Sequence, residues 1–172
     1  MNSIQYKIQL AHSNELYLLL EIEKRAGCRF DDYPELAEVP DDITPIQELE
    51  EAEKSKLVWV GLTSQKIIGF AYATLIDGNC HLEELSVLPE FGRKGVGTAL
   101  LDHVYIYAKE VGLTGVTLTT YRDIPWNGPF YLKQGFEILS NNSLSPGLRN
   151  AFEDEERRGL PIHLRIVMRK KV

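Results

Sequence analysis

Between Leu57 and Val111 the chain specifies most of its own architecture. Leu57-Val58-Trp59-Val60-Gly61-Leu62, a turn at Ser64-Gln65 and the run from Ile67 to Ile76 read as a hairpin, and Asp77-Gly78 turns the chain into a further strand from about Cys80 to Val87. Pro89 and the glycines at 92, 95 and 97 form a loop. Val96, Ala99, Leu100, Val104, Tyr107, Ala108 and Val111 then repeat at intervals of three and four until Gly112 stops the helix. Three antiparallel strands therefore feed a glycine-rich turn and a long helix. That order argues against a dinucleotide-binding βαβ unit, and without a Gly-Lys-Ser/Thr ending the turn is not the loop of a nucleotide hydrolase.

The flanking segments complete a mixed α+β sheet with helices on its faces. Ile4, Tyr6, Ile8 and Leu10 alternate with polar residues as a first strand. Ser13 or Asn14 can cap a helix carrying Leu16, Leu19, Leu20 and Glu23 at helical spacing to about Gly27. From Phe30 to Glu53 the chain is acidic and broken by Pro34, Pro40 and Pro45, with Thr44 able to cap a short helix through Lys54 that has Pro45 in its first position. Beyond Gly112, Val116 to Tyr121 reads as a strand, Pro129 to Gln134 as a short helix, Phe136 to Leu139 as a strand and His163 to Met168 as the last. Phe152 to Arg158 reads as a solvated helix between the last two strands.

A length of 172 residues suits one domain, and 44% hydrophobic with 26% charged residues suits an ordinary globular core. Nineteen Lys and Arg against 25 Asp and Glu give a net charge of -6, the wrong sign for a protein whose main ligand is a nucleic-acid backbone or an anionic membrane. No basic flank precedes an apolar stretch at the N-terminus, and the apolar runs fall short of the ~18 residues of a membrane span, so a cytoplasmic protein is expected. Cys28 and Cys80 form no CxxC pair and no Cys/His cluster, which indicates neither a disulfide framework nor a metal site; both read as buried small hydrophobes. His103 reads as a satisfied residue at the core edge, and His12, His81 and His163 have no ligand-spaced partners.

The stretch Leu85-Ser86-Val87-Leu88-Pro89-Glu90-Phe91-Gly92-Arg93-Lys94-Gly95-Val96-Gly97-Thr98 is an anion cradle in physical terms. Its glycines admit close backbone approach, the helix start offers free amides and a positive dipole end, and Arg93 and Lys94 add charge, so a pyrophosphate fits. The same glycines could serve a simple turn. Here the chain resembles the GNAT family of N-acetyltransferases, whose acetyl-CoA loop is Gln or Arg, two residues, Gly, any residue, then Gly or Ala. Gly95-Val96-Gly97 match its end, while Gly92 stands where Gln or Arg is usual. Asn127-Gly128-Pro129-Phe130-Tyr131-Leu132-Lys133-Gln134-Gly135-Phe136 resembles the family's segment ending in Tyr, three residues, Gly-Phe. The family's Asn lies seven residues before that Tyr, at Ile124 here, whereas Asn127 lies four before it.

The resemblance implies a GNAT fold, acetyl-CoA as co-substrate with no metal, and an amine acceptor, a small molecule or a peptide. It is closest to a bacterial-type branch without an assigned substrate that carries Pro-Trp-Asn before the Tyr, here Pro125-Trp126-Asn127. It puts Leu85, Ser86, Val87, Gly92, Arg93, Lys94, Gly95, Val96, Gly97, Thr98, Asn127, Phe130 and Tyr131 against the cofactor, with Tyr131 as acid and a strand bulge near Leu85 to Val87 exposing amides to the thioester carbonyl.

The chemistry adds its own demands. An alkyl amine near pKa 10 is protonated at pH 7 in all but about one molecule in a thousand, so freeing its lone pair costs about 4 kcal/mol. A base or a water chain must take that proton. Glu83 and Glu84 precede the loop on opposite faces of one strand; Glu84 is the favoured base, with a plain surface role for both as the alternative. Ten acidic residues and no Lys or Arg between Phe30 and Glu53 would draw a cationic acceptor. Two rival readings keep the loop without the transfer: a CoA-binding sensor or interaction module, and an ATP-binding protein. The acceptor's identity and the oligomeric state, a homodimer among the options, are not specified.

Overall fold

The computed structural model describes residues 4–39 and 42–172. The reading of Met1, Asn2 and Ser3, and the shares of Pro40 and Asp41 in the acidic segment, lie outside the described residues. Seven strands, β1 (Lys7–Leu10), β2 (Val58–Leu62), β3 (Ile67–Ile76), β4 (Asn79–Val87), β5 (Gly115–Tyr121), β6 (Glu137–Ile138) and β7 (Arg165–Lys171), form one sheet in the order β1-β2-β3-β4-β5-β7-β6. Every neighbouring pair is antiparallel except β4 and β5. The helices are α1 (Leu16–Gly27), α2 (Ile46–Lys54), α3 (Val96–Glu110), α4 (Gly128–Lys133) and α5 (Pro146–Arg157). None of the described helices is long and apolar enough to cross a membrane.

Alternation along the strands sends side chains to two covered faces. Trp59 packs edge-on against Tyr107 of α3, ring centroids 5.6 Å apart. Ala71 lies opposite Trp59, so Tyr72 points the other way, where its hydroxyl donates to Glu48 of α2 at 3.2 Å. The sheet is thus a mixed one with helices on both faces. Phe70, Ile68, Val58 and Val60 are wholly shielded between them, as is Leu100 of α3. The β3–β4 hairpin closes as expected, Asp77 and Gly78 both adopting positive φ (47° and 76°), the pairing that matches strand twist.

Several boundaries differ from the sequence reading. β1 begins at Lys7 rather than Ile4. Before α1, Ser13–Glu15 form a 3₁₀ turn, and Glu15 accepts from the His12 amide at 2.7 Å, so the cap falls ahead of Ser13 and Asn14. Thr44 does not cap α2, and Pro45 stands just before that helix rather than inside it. The Thr44 amide and hydroxyl instead donate to Glu23 at 3.1 and 3.0 Å, because a buried carboxylate needs donors more than a solvated helix end does.

β6 is two residues long, with Phe136 in the core instead of in the strand, and β7 starts after the 3₁₀ turn that Pro161 leads into at Ile162–Leu164. α5 begins six residues before Phe152, and burial of its Leu148 and Glu155 makes it more than a solvated connector. Cys28 is exposed, contrary to expectation, while Cys80 is buried and its thiol is pushed up to about 12 by desolvation. His81 and His103 are satisfied, by the Thr117 hydroxyl at 2.9 Å and the Ala99 carbonyl at 2.8 Å.

Candidate active site

β4 and β5 pair over three residues only, Cys80–Leu82 against Val116–Leu118, and then part. The cause is local. Tyr72 faces Glu84 and Ala73 faces Leu82, so Glu83 is an extra residue on β4, and such a bulge bends its strand away from a neighbour. The bulge falls two residues before the Leu85 to Val87 stretch where the sequence reading put it. Glu83 ends up exposed, accepting from the Thr74 hydroxyl at 2.6 Å.

Past the bulge, the Leu88 amide donates to the Ile68 carbonyl at 2.9 Å, which sets the parity of the ladder. Ser86 and Leu88 turn their amides to β3; Leu85 and Val87 turn theirs to the side that β5 has left. Glu84 shares a face with Tyr72 and Ser86, toward α1 and α2, and accepts from the Ser86 hydroxyl at 2.7 Å. Desolvation raises its carboxyl above the ordinary range, partly offset by the Ser86 hydroxyl and the Leu85 amide.

A second carboxylate shares this space. Glu23 of α1 is 6% exposed, and burial, reinforced by the charge of Glu84, pushes it up to about 8 despite the donors from Thr44. At the rim, Arg158 clasps Asp42 at 2.7 Å, and Arg165 pairs two-pronged with Glu155 at 2.7 and 3.1 Å beside the Tyr121 ring. Tyr131 of α4 is buried edge-on between Phe130 and Phe136, and its hydroxyl has no hydrogen-bond partner among the described residues. Burial and then the charge of Glu84 raise the phenol above its ordinary value, which keeps the proton on it.

The glycine loop has the geometry of a cradle. Gly95 takes φ +84° at the start of α3, and no side chain caps the helix. The first intrahelical bond runs from the Ala99 amide to the Gly95 carbonyl, leaving the amides of Val96, Gly97 and Thr98 for a ligand. A Cβ at Gly97 would lie 3.8 Å from Val87 and 4.0 Å from Phe130, ordinary contact distances, so packing does not require glycine there. Gly92 is extended, and Arg93 holds a left-handed φ of 57°, uncommon for a side-chain-bearing residue. Lys94 donates to the Glu90 carbonyl at 2.9 Å and so points back along the loop, whereas Arg93 has no ion-pair partner among the described residues.

Thr98 accepts from Gln134 at 3.5 Å, which ties α4 to the first turn of α3. Asn127 precedes Gly128, where any Cβ would strike the Arg122 carbonyl oxygen. The Oδ1 of Asn127 is buried without a donor among the described residues. Ile124, at the position of the family's asparagine, is buried in a satellite apolar cluster with Leu36 and Tyr121. An anion-binding helix start, an open floor beside Gly97 and an orphaned acceptor at Asn127 fit acetyl-CoA. Sequence reasoning passed over Glu23 and Thr44 as site residues, although Glu23 stands on the apolar stripe of α1, where a carboxylate is the conspicuous exception.

Comparison with known proteins places this architecture. The chain matches the acetyltransferase (GNAT) family over residues 17–136 and belongs to that family. Among solved structures it resembles a GNAT-family acetyltransferase from Staphylococcus aureus Mu50 (TM-score 0.74, 17% identity, covering 97% of this chain and 99% of that one). It also resembles the PaiA N-acetyltransferase of Thermoplasma acidophilum in complex with coenzyme A (0.67, 17%, 98% and 100%). A third is the ribosomal-protein-S18-alanine N-acetyltransferase of Escherichia coli (0.69, 17%, 98% and 94%). The protein is an acetyl-CoA-dependent N-acetyltransferase.

Proposed function

We propose that the cleft between β4 and β5 moves the acetyl group directly to a cationic amine, with Glu84 as base and Tyr131 as acid. The observation that carries this is the turn of β4 past its bulge, which presents Glu84 on one face and turns the Leu85 and Val87 amides to the open edge. Bound acetyl-CoA supplies the activated acyl group. Val96, Gly97 and Thr98 amides, with Arg93, hold its phosphates, and Asn127 Oδ1 accepts from an amide of its arm. Gly92, Lys94 and Phe130 shape the loop and floor.

Glu84 takes the proton from the ammonium form of the acceptor, a task suited to a carboxylate whose affinity for protons is raised by burial. Leu85 and Val87 amides donate to the carbonyl oxygen as it gains negative charge, while Ser86 holds Glu84 in place. Tyr131 gives its proton to the departing sulfur. The run from Phe30 to Glu53, with ten acidic residues and no Lys or Arg, favours a cation, whether a small molecule or a peptide amine. Two cysteines that remain thiols suit a reducing compartment, and the cytoplasm is the proposed place of action.

The test is the pH dependence of kcat/KM. Glu84→Gln should lose about 10²-fold or more at pH 7 and recover part of it at high pH, where the acceptor deprotonates in solution. An unchanged profile would remove Glu84 from the reaction.

A further inference from the structure

Arg29 has no part in the sequence motifs. It lies in the 3₁₀ turn Cys28–Asp32 that follows α1, on the segment between α1 and α2 that lies over the acceptor side. Its guanidinium sits 4.0 Å from the centroid of the Trp126 ring and has no ion pair or hydrogen bond among the described residues. Trp126 is gripped from the same segment by Phe30 and Tyr33, with centroids at 5.5 and 5.6 Å, and it immediately precedes Asn127 with its orphaned Oδ1.

The end of α1 is fixed to the other side of the cleft as well. One nitrogen of Arg25, Nη2, donates to both carboxylate oxygens of Glu90, at 3.0 and 3.2 Å, just ahead of the glycine loop. The segment from Arg25 to Tyr33 therefore bridges the gap between the end of β4 and the loop after β5. Arg29 occupies the middle of that bridge, four residues beyond Arg25 and with its guanidinium over the Trp126 ring. Neither Arg29 nor Arg93 has a carboxylate partner among the described residues, so each can meet an anion. Stacking on Trp126 leaves the edge of the Arg29 fork free to donate while its face is held.

We infer that Arg29 is a phosphate ligand for coenzyme A, reaching across the cleft from the acceptor-side segment to oppose Arg93. This rests on the acetyl-CoA reading of the loop and adds to it a second jaw.

The experiment measures equilibrium affinity of wild type, Arg29→Ala and Arg29→Lys for CoA, dephospho-CoA and pantetheine by calorimetry at two salt concentrations. Arg29→Ala is expected to bind CoA ~tenfold more weakly, with the deficit shrinking as salt rises, and to bind pantetheine as wild type does. Arg29→Lys should fall between. A deficit that persists with dephospho-CoA assigns the contact to the pyrophosphate, and one that vanishes assigns it to the 3′-phosphate; either upholds the inference. Equal losses for CoA and pantetheine would overturn it, since Arg29 would then act only by packing on Trp126, and so would unchanged CoA affinity. Failure of the wild type itself to bind CoA would instead strike the reading of the loop.

Discussion

Replacing Glu23 by Gln should make the protein more stable in alkali. The carboxyl of Glu23 is shifted from 4.5 to about 8 by burial and by Glu84, so the folded state holds this proton more tightly than the unfolded chain does. The sign follows. Below about pH 4.5 both states are protonated and nothing is lost. As pH rises toward 8 the unfolded chain releases the proton first, and stability falls throughout that window. At 1.36 kcal/mol per pH unit, the rise from 4.5 to about 8 makes the full loss about 5 kcal/mol.

Gln keeps an oxygen for the Thr44 amide and hydroxyl and carries no charge. Urea titrations at pH 5 and pH 9 are the assay. Wild type should lose several kcal/mol between them through this group, and Glu23→Gln should recover most of that loss while differing little at pH 5. Parallel pH dependence in the two proteins, or a variant less stable than wild type at pH 9, would refute the argument.

Gly97→Ala should fold with an almost unchanged Tm, since a Cβ there meets only ordinary contacts, yet bind CoA at least ~tenfold more weakly by crowding the phosphate; normal affinity would misplace the phosphate. Gly95→Ala should also cost ~1 kcal/mol of stability, because its φ of +84° disfavours a side chain and the Cβ would press on the Tyr6 hydroxyl at 3.2 Å; an unchanged melting curve would contradict this. Tyr131→Phe should lower kcat by up to ~10²-fold with acetyl-CoA affinity kept, the effect being limited because burial makes the phenol a weak acid. High pH should not rescue it, and full activity with product release excluded as the slow step would leave the sulfur to depart unaided. Glu155→Ala strands the Arg165 guanidinium, whose partner is only 11% exposed, and should cost ~3 kcal/mol in denaturant titration; a loss near zero would mean water satisfies Arg165.

What the sequence made legible was whatever rests on local period and punctuation. α3 is bounded by Gly95 and Gly112 and carries apolar residues at helical spacing, and the β3–β4 hairpin turns on Asp77-Gly78, so both could be read within a few residues. The edge of the sheet was harder. β6 is two residues long and β7 starts only after a turn, because at an edge the partner strand rather than the local sequence decides where pairing stops.

Register is likewise non-local. The bulge at Glu83 exists only in relation to Tyr72 and Ala73 of β3, and the two faces of Glu83 and Glu84 acquire meaning from it. Glu23 and Arg29 show the same limit at the site. One is a carboxylate on an apolar stripe whose donors come from Thr44, and the other is an exposed-looking arginine whose partner is Trp126, far along the chain. At the family's asparagine position stands Ile124, buried among apolar side chains, while the Oδ1 of Asn127 is buried without a donor among the described residues, and neither environment is visible in the sequence.

Transfer of the acetyl group of acetyl-CoA to an amine, rather than mere holding of the cofactor, is the role proposed for this cleft. Its most direct test is the release of CoA thiol from acetyl-CoA with and without added amines, spanning polyamines, aminoglycosides, amino acids and peptides, with acetylated product quantified by mass spectrometry. Thiol release should depend on the amine, with one acetylated amine per thiol, and the best acceptor should be cationic with a KM that rises with salt. Saturable CoA binding with no amine-dependent thiol release from any class, or release that proceeds equally without amine, would contradict it.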